Sequence, residues 1–144
     1  MRSLPIVFLV LVFTILATCG GQADRRLCGT WRMISGKYAG PDFEIRENDA
    51  TRMCYKILSE NSFAVIELYP SNPDSLFFAA FGHYEMSDTG YTEFYEASNV
   101  PSKIGTRLHF HSKLKNKEWK ISLKTAELSL DETWMRISPP EMEK

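Results

Sequence analysis

The chain has 144 residues, 44% hydrophobic, 12% aromatic and 24% charged, the composition of one globular domain, which excludes a disordered tail or a two-domain enzyme. Seventeen Lys and Arg against eighteen Asp and Glu leave a formal charge of −1, too weak a field to gather nucleic acid or an anionic lipid surface. The average conceals an apolar start, for residues 6–17 read IVFLVLVFTILA, with no charge and a single polar side chain, Thr14.

Residues 1–18 have the parts of an export signal: a basic start at Arg2, an apolar core, and small residues behind it. The run falls short of the roughly 20 apolar residues that span a bilayer, and no basic stop-transfer cluster follows it, so a removed signal is expected rather than a membrane helix. The stretch Leu16-Ala17-Thr18-Cys19-Gly20-Gly21 resembles a bacterial lipobox, which implies cleavage before Cys19 and a lipid on its sulfur. Thr18 departs from the small residue usual before that cysteine, and ordinary cleavage slightly downstream is the alternative. Residues 19–28 would then be a tether, and lipid on Cys19 the only link to a membrane. With Cys19 taken, Cys28 and Cys54 are an even pair in an oxidising compartment. They form a disulfide or stay free and pack as small hydrophobes. No C-x-x-C spacing occurs, and neither metal nor cofactor is expected.

From residue 29 onward, short runs rich in Ile, Val, Phe, Tyr, Trp and Thr alternate with turn clusters. The first predicted strand is 30–35, with Gly36 as a kink, followed by a loop through Gly40-Pro41-Asp42 and Glu47-Asn48-Asp49. Strands at 52–58 and 62–69 follow, joined by Ser59-Glu60-Asn61, which is hairpin length. Beyond the turn-rich 69–74 come 76–86 and, past Ser87-Asp88-Thr89-Gly90, 91–97. The last three are 106–114, 118–123 after Lys115-Asn116-Lys117, and 130–137. Helix is limited to one turn within 101–105. Eight strands with mostly short gaps favour an all-β, antiparallel up-and-down barrel over a Greek-key sandwich, which needs long return connections. The barrel occupies residues 29–137, and 138–144 is a polar, Pro-rich tail.

Gly29-Thr30-Trp31 at the first strand is similar to the Gly-x-Trp opening of lipocalins, and Glu132-Thr133-Trp134-Met135-Arg136 supplies the arginine that such folds pack on that tryptophan. With the first stretch continued through Arg32-Met33-Ile34-Ser35-Gly36-Lys37-Tyr38, and with Asn61-Ser62-Phe63-Ala64-Val65, Gly82-His83-Tyr84, Tyr91-Thr92-Glu93 and Ile104-Gly105-Thr106-Arg107-Leu108-His109-Phe110, the chain resembles a bacterial lipocalin-like family of exported proteins and lipoproteins over residues 29–137. The resemblance implies a calycin-type barrel whose closed end holds Gly29, Trp31 and Arg136. Physical chemistry favours that pairing independently, since a guanidinium over an indole gains about 0.5–2 kcal/mol and its forked donors reach carbonyls at a barrel end.

Catalytic chemistry finds little support. His109 and His111 share one face of a strand, but Leu108 and Phe110 are the better inward pair, so these histidines are expected in solvent, with His83 on a distant strand. The acid pairs Asp131-Glu132 and Glu141/Glu143 are expected to be solvated, and no G-x-S-x-G elbow or phosphate loop occurs. No catalytic residue is assigned and no enzyme is expected. Tyr91, Glu93 and Tyr95 alternate on one side of their strand, and with Phe63, Val65 and Glu67 they would give aromatic walls with a few polar handles. The expected function is thus binding of a small apolar or amphipathic molecule inside an exported barrel, anchored in the bacterial cell envelope or free as a periplasmic or secreted protein. The alternative is a solid barrel whose outer strip of Lys113, Lys115, Lys117 and Lys120, with His109 and His111, meets a protein or envelope polymer.

Overall fold

The structure, a computed structural model, describes residues 25–137, the side chains of 73–75 excepted. The expected signal with Cys19, the tether up to residue 24, and the tail at 138–144 lie outside the described residues. A 3-10 turn at Arg25–Leu27 leads into β1 (Gly29–Gly40), β2 (Phe43–Asn48), β3 (Met53–Leu58), β4 (Ser62–Tyr69), β5 (Asn72–Ser87) and β6 (Gly90–Ser98). A second 3-10 turn, Pro101–Lys103, precedes β7 (Arg107–Lys115), β8 (Glu118–Lys124) and β9 (Ser129–Ile137). From β3 to β9 each strand pairs antiparallel with the next; β1 pairs with β3 on one edge and with β9 on the other, so eight strands close into an up-and-down barrel.

The ninth strand, β2, replaces the loop expected between the first two predicted strands. The upper half of β1 outruns β3, which faces it only from Gly29 to Arg32, and an unpaired edge would be left above that point. The chain turns at Pro41-Asp42 and covers that edge itself, Ser35 to Gly40 lying opposite Phe43 to Asn48. Its side chains are mostly exposed, so no burial pattern marks it in the sequence.

The irregularity expected at Gly36 falls earlier. Register against β9 shifts between Met33 and Ser35, leaving Ile34 as an extra residue. A one-residue insertion reverses which side chains face inward, so Trp31 and Met33 point into the barrel below the bulge and Gly36 and Tyr38 above it.

One end of the barrel is packed shut. Trp31, Trp119, Trp134, Tyr91, Phe63 and Leu27 are all buried there, with Trp31 and Trp119 rings 5.5 Å apart. Leu27, from the 3-10 turn, plugs the end, and its carbonyl accepts the Trp31 Nε1 hydrogen at 2.8 Å. The Arg136 guanidinium lies 4.3 Å from the Trp31 ring centre and donates to the carbonyls of Arg26 and Cys28. Gly29 is required beside it: its φ is +134°, and a Cβ there would stand 2.6 Å from Arg136 Nη1. Gly29, Trp31 and Arg136 therefore meet at the closed end.

Cys28 and Cys54 are both free thiols, so the disulfide alternative is not what forms. Register explains it. Gly29 faces Leu58, so Cys28 is level with the end of β3, five residues beyond Cys54, or about 16 Å along the strand. A disulfide tolerates about 7 Å between Cα atoms.

Candidate functional site

Above the packed floor the barrel is not filled. A cavity of about 320 Å³ opens toward the end where β1 and β2 turn, β4 meets β5, and the Pro101–Lys103 turn crosses. Phe78, Val100, Leu108 and Leu130 give it apolar walls, and charged groups from β3, β4, β6 and β9 reach into it.

Glu93 lies at the bottom. Its Oε1 accepts hydrogens from Lys56 Nζ at 2.6 Å and the Tyr91 hydroxyl at 2.8 Å, and its Oε2 accepts from the Tyr95 hydroxyl at 2.6 Å. Lys56 is equally buried, with its ammonium 4.8 Å from the Trp134 ring centre and 5.5 Å from that of Trp119. Burial works against the charge on Lys56, but Glu93 and then Glu132 outweigh it and hold the group above the ordinary lysine range. Lys56 is therefore a fixed ammonium; a nucleophilic lysine needs the opposite shift. Loss of water, and then the same carboxylate, push the Tyr91 and Tyr95 hydroxyls far above their usual range, so both phenols act only as donors here.

Arg52 forms a second group nearer the mouth. It pairs with Glu47 at 3.1 Å and Glu67 at 3.4 Å, and its guanidinium lies 5.1 Å from the Phe77 ring centre and 5.4 Å from that of Tyr38. Burial lifts the Glu67 carboxyl above its ordinary range in spite of Arg52.

Glu132 is the third. Its Oε1 accepts the Tyr38 hydroxyl hydrogen at 2.9 Å and its Oε2 the Trp134 Nε1 hydrogen at 3.0 Å. Both donors are neutral, and among the described residues no Lys or Arg lies within ion-pair distance of this carboxyl. Burial raises its pKa, with Lys56 pulling the other way.

Of the six side chains expected to line a pocket, Val65, Glu67, Glu93 and Tyr95 border the cavity. Phe63 and Tyr91 point inward too but sit deeper, in the packed floor: Phe63 meets Tyr95 edge-on at 5.3 Å and Tyr91 meets Trp119 edge-on at 5.1 Å. The period of two fixes the face but not the depth along the barrel axis. Glu132 corrects the expectation that Asp131 and Glu132 are both solvated. Asp131 is exposed, whereas Leu130, Glu132 and Trp134 form the inward set of β9.

Four site residues went unassigned in the sequence: Tyr38, Arg52, Lys56 and Glu132. Tyr38 is turned inward by the bulge. Lys56 occupies the inward face of β3, and Arg52, just before that strand, also borders the cavity, while Ile57 lies outside, half exposed, the reverse of the usual pattern. Conversely, His109 and His111 are exposed on β7, with rings 6.4 Å apart and His109 Nδ1 2.8 Å from the Thr92 hydroxyl. His83 is paired with Glu96 at 2.6 Å and stacked on Phe94. Lys113, Lys115, Lys117 and Lys120 are exposed as well.

No protein-family model matches the chain, and no curated protein matches it.

Proposed function

We propose that this protein is a non-enzymatic, lipocalin-like carrier that holds a small amphipathic molecule in its barrel outside the cytoplasm. The carrying observation is the cavity itself: about 320 Å³, apolar on its walls, with fixed polar groups converging from four strands. That volume lies at the lower end of the roughly 300–1,000 Å³ of small-molecule sites. Binding suits the interior chemistry better than turnover does, because Glu93 already accepts three hydrogens and Lys56 is locked as its counter-ion. The cavity also favours a carrier over a solid barrel that works through its lysine-bearing outer strip.

An environment-sensitive apolar dye should bind saturably at one site per chain. Leu108→Trp, which places an indole in the cavity wall, should weaken that binding at least about tenfold while leaving the circular dichroism spectrum intact. A wild-type chain with no saturable site would overturn the carrier reading in favour of the interaction protein.

The export half of the proposal rests on residues 1–19. Expressed in a bacterial host, the chain should incorporate labelled fatty acid, and Cys19→Ser should abolish incorporation. An unlabelled mature species beginning further downstream would assign the protein to the free periplasmic or secreted form instead.

A further inference from the structure

The charged groups that line the cavity are unevenly paired. Three carboxyls border it, Glu67, Glu93 and Glu132, with three cations, Arg52, Lys56 and Lys103. Lys56 is bonded to Glu93, and Arg52 is shared between Glu67 and Glu47 at the rim. Glu132 is left with two neutral donors. A carboxylate offers about four lone-pair positions, so Tyr38 and Trp134 occupy two and fix the orientation of the group while leaving acceptor capacity unused. Glu132 is half-buried, and among the described residues no Lys or Arg lies within ion-pair distance of it.

We infer that the ligand is a small organic amine with an apolar body, its ammonium seated on Glu132 and its hydrocarbon part against Leu108, Leu130 and Phe78. The inference rests on the carrier reading above and narrows it to one chemical class. An anionic head would meet three carboxyls, with Lys56 bonded to Glu93 and Arg52 paired with Glu47 and Glu67; the Arg52 Nε hydrogen, without a partner among the described residues, is a single donor nearer the mouth. Lys103, the third cation bordering the cavity, lies on the crossing turn at the mouth and could hold an anion only there, not at depth. A neutral molecule could fill the apolar volume but would offer the free lone pairs of Glu132 at most a neutral donor.

Three probes of matched size and one aromatic ring separate the outcomes: 2-phenylethylamine, 2-phenylethanol and 3-phenylpropionate, each displacing the apolar dye from the full processed chain at constant pH and ionic strength. The amine should compete at least about tenfold better than the alcohol, as a charge-assisted hydrogen bond replaces a neutral one, and the propionate should be weakest. In Glu132→Gln the amine's advantage over the alcohol should disappear while the dye still binds. If the dye binds but the amine competes no better than the alcohol, or the propionate competes best, the amine inference is wrong and the carrier reading stands. If neither dye nor any probe binds, the carrier reading itself fails, and the inference with it. Should Glu132→Gln not fold, the wild-type ranking decides, together with its salt dependence: the amine's advantage should shrink only slightly at high salt, because a buried pair is poorly screened, and a large loss would place the ammonium at the exposed rim instead.

Discussion

Lys56→Met should lower the free energy of unfolding by about 3–5 kcal/mol, because it strands the buried Glu93 carboxylate without its cation. The two phenols that also donate to Glu93 cannot replace a full charge. Adding Glu93→Gln should recover much of the loss, since a neutral amide still accepts from Tyr91 or Tyr95 and no charge remains in the floor. Urea unfolding of the wild type, both single variants and the double variant closes the cycle. A Lys56→Met loss below about 1 kcal/mol would mean that the pair is solvated and the network loosely held.

At the other end of the barrel, Trp31→Ala should remove about 3–5 kcal/mol, as expected for deleting a fully buried aromatic. Arg136→Ala should cost less, because it loses the ring contact and two carbonyl hydrogen bonds at a partly exposed site. The two effects should not add. The guanidinium over the indole predicts a coupling energy of about 0.5–2 kcal/mol in the double-mutant cycle. Strict additivity would separate the two side chains and dissolve the closed end as described.

How far the sequence discloses this molecule depends on scale. Eight strands and their up-and-down order are legible because β-branched and aromatic runs are punctuated by turn residues, and Tyr91, Glu93 and Tyr95 are legibly on one face because the register shift of β6 against β5 falls beyond them, at Glu96. Three things defeat the same reasoning. β2 is held by the ladder and by exposed ion pairs such as Lys37 with Glu44, not by burial, so it leaves no apolar period. Tyr38 lies beyond a bulge that a parity argument cannot foresee. Lys56 and Glu132 break the rule that charges face water, each made tolerable inside by partners far away in the chain, Glu93 for one and Tyr38 for the other. The residues that violate the pattern are also those that border the cavity, as expected where a site rather than a core sets the choice.

Both ends of the described chain leave from the plugged side. Arg25 to Leu27 form the turn under Trp31, and Ile137 pairs with Thr30 at the start of β1, so the mouth lies at the opposite pole. For a chain held by lipid on Cys19, the opening would thus face outward, away from the supporting leaflet. If the proposed carriage and the proposed anchor both hold, cargo would be exchanged with the surrounding fluid or with a second macromolecule, rather than drawn up from the bilayer beneath. The same polarity makes either terminus suitable for immobilisation on a sensor surface, since attachment there leaves the entrance unobstructed.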